Sequence, residues 1–314
     1  SAPGALLRMF LNFGRKTAGV GASGSGSQAV ATALRSATAN TPAPLQPQEL
    51  LYLMGAAVRE PPLLAMLWAE RTIELGRQAD ATLKMLTVLH RLQLHSPAFT
   101  ATLLGSSIHS KPFDTALSEL SQRFGSVSAA ARGPFIRAYL AYLRHRMQTP
   151  AWAAPPAAGG GGGGVGDGAL AVRAGHSLQR RMGLEELLQE LPQWEALFDS
   201  ALNAFDKAAP APLTHQPLAL LLNDANAFFL VINDAMSNTL ESHLELDLSR
   251  AVQLMPVWTS FPRKAQRLLD AQQSALQCPP ILDAAASLGA HPRGGIGASA
   301  LLLWPSAARG GQMR

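Results

Sequence analysis

The sequence predicts an all-α protein, a superhelical, solenoid-like stack of about nine or ten antiparallel helices. Three observations carry that expectation. Apolar residues recur every three or four positions along most of the chain, the period of an amphipathic helix. Strand signals are missing, since no period-two alternation occurs and no Asn-Gly or Asp-Gly turn joins two alternating runs. The breaks between periodic stretches are mostly short, which favours antiparallel neighbours, and no fixed repeat length is visible.

Composition bounds the class. Of 314 residues, 47% are hydrophobic, enough for one large core or two modest ones. Only 15% are charged. The most apolar window, 217–236, is interrupted by Asn223, Asp224, Asn226 and Asn233, so no run reaches the roughly 18 apolar residues of a spanning helix. Cys278 is alone, which rules out an internal disulfide and a Cys-based zinc site and fits a reducing compartment. The net charge of +5 is uneven. Arg8, Arg15, Lys16 and Arg35 all precede the first acid, Glu49. Two readings of that acid-free start stand: an organelle transit peptide, or a basic arm on an anionic membrane. The true start is expected upstream of Ser1.

Each element has a local reason. Residues 5–15 form a short amphipathic helix, with Leu6, Leu7, Phe10, Leu11 and Phe13 apolar and Arg8, Arg15 and Lys16 beside them. It either lies in a bilayer interface or packs on the body of the domain. Residues 19–27 are a Gly/Ser linker; its Gly19-x-Gly21-x-x-Gly24 lacks the preceding strand of a dinucleotide site and is rejected as one. Helices are predicted over 28–37 and 48–59, separated by the Pro-rich break 40–47, and another begins at Pro61 and Pro62, well placed in a first turn. The stretch 80–94 carries a broad apolar face. A shorter helix over 96–104 has Ser96 as N-cap and Pro97 at its first position. Helices over 113–123 and from Phe135 follow.

Residues 153–168 hold Pro155, Pro156 and a run of glycines, and are read as a disordered insertion. After them 184–205 is strongly amphipathic. A Pro-rich break over 208–217 leads to three helices, 218–236, 238–257 and 262–276. The chain is expected to be loose after Pro280 and unfolded from Gly294. The resulting division is a basic N-terminal segment with its linker over 1–27, a helical domain over 28–281 and a disordered tail over 282–314.

No chemistry-bearing cluster emerges. His90 and His95 lack the spacing of a helical metal pair, no HExxH occurs, and Glu185, Glu186 and Glu190 read as a solvated helix face. Lys84, His90 and Arg91 are expected to cap loops or pair with carboxylates, with phosphate binding as the alternative. No enzyme activity, cofactor, metal or nucleic-acid partner is expected.

The most informative stretch is 133–147, GPFIRAYLAYLRHRM. Its Phe135-Ile136-Arg137-x-Tyr139-x-x-Tyr142-Leu143 resembles a signature helix of the ANTH domain, the N-terminal domain of the clathrin assembly proteins, in its plant and algal form. Two further blocks resemble the family in the family's order: 82–92, TLKMLTVLHRL, and the helices over 184–198 and 218–246, where Gln193 and Asp234 fit. The resemblance covers about residues 28–281. It implies a non-enzymatic helical superhelix at the cytoplasmic face of the plasma membrane or Golgi, peripheral on clathrin-coated pits and vesicles. Its implied partners are phosphoinositide membranes, chiefly phosphatidylinositol 4,5-bisphosphate, with clathrin, adaptor proteins and SNAREs. The family's headgroup motif, a lysine, nine residues, then Lys-x-Lys/Arg-His/Tyr, falls here on Ser36, Gln46, Gln48 and Glu49. None is basic, and a multiply charged headgroup needs Lys or Arg at its phosphates. Arg35 is the nearest cation. The expected lipid contacts are therefore Arg35, Arg8, Arg15 and Lys16, with Phe10 and Phe13 inserting. The other reading is an ANTH-like scaffold that has lost headgroup binding and holds a partner helix, such as a SNARE, in a groove.

Overall fold

The computed structural model describes residues 24–105, 107–124, 132–149, 183–241 and 246–289. The expected N-terminal amphipathic helix, the Gly-rich insertion and the segment after Gly294 lie outside these residues. Among the described residues the protein is all-α, with eleven helices and no strand. They are α1 (Gly24–Ala37), α2 (Pro47–Arg59), α3 (Pro61–Leu75), α4 (Ala79–His95), α5 (Pro97–Gly105), α6 (Ser107–Arg123), α7 (Gly133–Gln148), α8 (Leu184–Asp206), α9 (His215–Glu241), α10 (Leu248–Leu276) and α11 (Pro279–Gly289).

Consecutive helices pack on one another, and several non-consecutive ones run side by side in one direction. Ser96 Oγ at the end of α4 donates to Ala57 O near the end of α2, while Lys84 near the start of α4 reaches the loop before α2. The ends of α4 and α7 are matched by Asp80 with Arg132 and Gln93 with Arg146. So α4 lies between α2 and α7 with the same polarity. Likewise α8 and α10 run together, joined by Arg250 to Glu185 and by Arg267 to Asp199.

A continuous core runs through the stack. Trp68 of α3 meets Phe113 of α6 with ring centroids 4.8 Å apart. Phe198, Phe229 and Phe261 tie α8, α9 and α10. Burial of each fully buried ring, such as Trp68, Phe113 and Phe198, stabilises the fold by about 1.5–3 kcal/mol, while Phe229 is only partly buried. Helix ends are closed locally. Ser96 Oγ accepts from Phe99 N at 3.1 Å, as the N-cap expected of it. Asp247 caps α10 through Arg250 N. Gly76 ends α3 at φ 58°, a conformation open to glycine, and Arg123 Nη1 donates to Thr72 O at 2.8 Å just before it.

Four local expectations are corrected. First, α1 begins at Gly24, inside the expected linker, because Val30 and Leu34 anchor the helix in the core. Second, α6 begins at Ser107 rather than Phe113, with Pro112 inside it. Third, the three helices after 217 are two. The break falls before Asp247, and α10 passes through Pro256 and Pro262. Leu254, Val257, Phe261, Leu268, Ala271 and Ala275 form one unbroken buried stripe, and its burial outweighs the two lost backbone hydrogen bonds. Fourth, the chain is helical beyond Pro280, and Ile281 of α11 sits in the core.

By length and composition α9 is the one helix among the described residues able to cross a membrane, yet 72% of its apolar window is buried inside the fold. It is the central core helix of the C-terminal half.

Candidate functional site

The four headgroup-motif positions do come together. The end of α1 and the start of α2 form one edge, where Ser36 Oγ donates to Glu49 Oε1. Gln46 is the N-cap of α2, with no side-chain cap bond, and Gln46 and Gln48 are exposed. Proximity is therefore kept while the charge is inverted: the ionisable group at these positions is a carboxylate.

The cations nearest this edge are engaged. Arg35 Nη2 donates to Glu74 Oε1 at 3.2 Å. Arg71 Nη1 donates to the other oxygen of Glu74 at 3.0 Å, and its Nε and Nη2 donate to Thr38 Oγ1 and O. Burial pushes the Glu74 carboxyl up, but the two guanidinium groups outweigh it and hold it below its ordinary value. The cleft beside Arg35, between α1 and α3, has about 10 Å³ of space, room for one water and not for an inositol ring. Lys84 Nζ donates to Ala39 O at 3.0 Å and Thr41 Oγ1 at 2.9 Å. It straps the α1–α2 loop, the loop-capping role expected of it. Burial lowers its pKa, against the pull of Asp80 and Glu49. Arg8, Phe10, Phe13, Arg15 and Lys16 lie outside the described residues.

A buried polar network lies deeper, between α4, α7 and α9. Asp224 Oδ2 accepts from His90 Nε2 at 2.8 Å, from Arg146 Nε at 3.0 Å and from the Tyr142 hydroxyl. His90 Nδ1 meets the Tyr139 hydroxyl at 2.9 Å, and Arg146 Nη1 donates to Gln93 Oε1 at 3.1 Å. Burial raises the Asp224 carboxyl, but Arg146, His90 and Tyr142 outweigh it and hold it at about 2. Burial lowers His90 more than Asp224 raises it, so its ring is neutral. Nε2–H then donates to the carboxylate and Nδ1 accepts from Tyr139. Burial, reinforced by Asp224, pushes both tyrosine hydroxyls well up. His90 thus pairs with a carboxylate, as expected. Arg146 of α7 is buried, 5% exposed. Asp224 stood in the sequence only as an interruption of an apolar window. The signal that would have found it is an acid set among the core-facing apolar positions of a helix, opposite two tyrosines, a histidine and an arginine on core faces.

Two features complete the inventory. Arg91 departs from the expectation of a carboxylate partner: its Nε is buried and has no hydrogen-bond partner among the described residues. On α10, Leu248, Val252 and Met255 at helical spacing are all about half or more exposed. No group of three His, Cys, Asp or Glu side chains able to hold a metal occurs among the described residues.

Comparison with known proteins agrees with the architecture. The family model described as the ANTH domain matches residues 62–270, a stretch from α3 into α10 that begins after the motif edge. No curated protein matches the chain. The matched stretch spans more than half of the sequence and coincides with the helical stack, and the chain belongs to the ANTH domain family.

Proposed function

We propose that this protein is a non-enzymatic accessory adaptor of clathrin-coated budding, peripheral on the cytoplasmic face of the plasma membrane or Golgi. It links a phosphoinositide membrane to clathrin and its adaptors. The family match over 62–270 carries this reading. Headgroup contact through the motif edge is disfavoured by the Ser36–Glu49 pair and by the engagement of Arg35 with Glu74. The membrane contact therefore rests on Arg8, Arg15 and Lys16, with Phe10 and Phe13 inserting. Co-sedimentation of the full chain with liposomes, with and without phosphatidylinositol 4,5-bisphosphate, at two salt concentrations, tests it. The expected result is salt-sensitive, lipid-dependent pelleting. Absence of pelleting under both conditions overturns the membrane part.

A second reading has its own observation. The exposed stripe Leu248, Val252 and Met255 has the spacing that receives an amphipathic partner helix. In this reading the protein is a helical scaffold for SNARE-type partners, without headgroup binding. A SNARE-motif helix that binds the full chain, and loses binding in Val252→Asp, supports it.

A further inference from the structure

Three Ser/Thr-Pro steps occur in the sequence: Thr41-Pro42, Ser96-Pro97 and Thr149-Pro150. Such a step is the local mark of a proline-directed kinase substrate. Proline removes the backbone donor that follows the accepting residue, and it biases that residue to an extended backbone. Sequence does not separate the three steps; the fold does. Ser96 is 2% exposed, and its hydroxyl donates to Ala57 O at 3.0 Å while capping α5. Thr149 is 3% exposed, and its hydroxyl donates to His145 O at 3.0 Å. Thr41 is exposed, in the loop from α1 to α2, and Pro42, Ala43 and Pro44 are exposed with it. A kinase can therefore take this segment in extended form without unfolding a helix.

The Thr41 hydroxyl also has a cation beside it. Lys84 Nζ of α4 donates to Thr41 Oγ1 at 2.9 Å and to Ala39 O at 3.0 Å. An ammonium has three donors, and two of them lie on this loop. Lys84 is 3% exposed, so its charge is fixed in place beneath the loop, and Leu45, 5% exposed, anchors the loop's other end in the core. Asp80 and Glu49 act on Lys84 through space, but Asp80 is paired with Arg132 and Glu49 with Ser36. The oxygens bonded to Lys84 Nζ are a neutral carbonyl and a neutral hydroxyl.

We propose that Thr41 is a phosphorylation site for a proline-directed kinase, and that Lys84 is the cation that receives the phosphate. In the transfer the bond from Thr41 Oγ1 to the γ-phosphorus of ATP forms, and the bond from that phosphorus to the β,γ-bridging oxygen breaks. ADP leaves, and the hydroxyl proton passes to the catalytic base of the kinase. The contact between Lys84 and a neutral hydroxyl becomes a charge-assisted pair of ammonium and phosphate. The product adds negative charge to the loop that joins Ser36 to Gln46, and so makes the motif edge more negative. The site rests on this loop and on Lys84, so it stands or falls independently of membrane binding.

The test treats the folded full chain with a proline-directed serine/threonine kinase and Mg-ATP, beside a synthetic peptide of residues 37–47. Mass spectrometry is expected to find phosphate on Thr41 at least about tenfold above Ser96 and Thr149, because the two buried hydroxyls are reached only by local opening. A phosphorus NMR titration then follows the phosphothreonine. Its second pKa, about 6 in the peptide, is expected to fall by about half a pH unit or more in the full chain, because Lys84 favours the dianion. Lys84→Gln removes that fall. The comparison of chain with peptide uses the wild-type protein, so it decides the matter even where Lys84→Gln does not fold. A peptide that is phosphorylated while the folded chain is not overturns the proposal. Equal incorporation at Thr41 and the two buried sites, the same pKa in chain and peptide, or an undiminished fall in folded Lys84→Gln overturns it as well.

Discussion

Asp224 shows how one side chain sets the character of a core. It is 1% exposed, yet it joins α9 to α4 and α7 through His90, Tyr142 and Arg146. Removing it takes away the carboxylate that accepts from Arg146 Nε in the interior. Asp224→Ala is expected to cost about 3–5 kcal/mol in urea-induced unfolding; a cost under about 1 kcal/mol contradicts the assignment. The same network makes stability depend on pH. The unfolded His90 takes a proton below about 6.5, whereas burial keeps the folded ring neutral. Stability therefore falls as pH drops through that value. Asp224 acts in the same direction at lower pH. Its folded pKa of about 2 lies below the ordinary 3.8, so its contribution, of order 2 kcal/mol, is present above about pH 4 and lost on the way down to 2. Thermal unfolding from pH 7 to 5 is expected to decline less steeply in His90→Gln than in the wild-type chain; identical slopes count against a buried neutral histidine.

Among the elements, α10 shows the balance between local propensity and packing. Pro256 and Pro262 each remove a backbone donor, and both lie on its exposed side. The helix persists because one buried stripe runs through both, and because polar pairs fasten it to α8. Lys264 reaches Glu195 at 2.9 Å, and Arg267 reaches Asp199 at 2.8 Å, Asn203 at 2.8 Å and Asp206 at 2.7 Å. Pro256→Ala restores a donor and is expected to stabilise the protein by about 1–3 kcal/mol, less than the full propensity difference where the helix has already bent to accommodate proline. A lowered melting temperature contradicts that. Arg267 is partly solvated, so Arg267→Ala is expected to cost only about 1 kcal/mol, and less at high salt. A salt-independent loss points to packing of its stem instead.

For the whole molecule, the question is which surface meets the membrane. The edge that carries the expected motif positions has no cation among them, with Glu49 bonded to Ser36 and Arg35 bonded to Glu74. Reversing Arg8, Arg15 and Lys16 to glutamate is expected to abolish liposome pelleting, whereas Gln48→Lys with Glu49→Lys is expected to strengthen it by restoring cations where phosphates would bind. Undiminished pelleting of the triple reversal sinks the N-terminal reading.

Helical periodicity was enough to establish the fold class, most helices before residue 217 and the Ser96 cap, because those depend on local spacing within single helices; the family was legible as a resemblance in the side-chain order of three blocks. That Ser36, Gln46, Gln48 and Glu49 include no cation was equally legible, since charge type is a property of the residue. Helix boundaries in the C-terminal half were not. Whether Pro262 ends a helix depends on what lies across from Phe261 and Leu268, which only the packed structure supplies. The roles of Asp224 and Arg146 were hidden for the same reason. Asp224 and Arg146 are 78 residues apart and meet only when α7 and α9 close on one another. Sequence determined which helices could form and which family they resemble; tertiary packing decided which charges are paired and which are buried, because solvation and counter-charge are properties of neighbours in space.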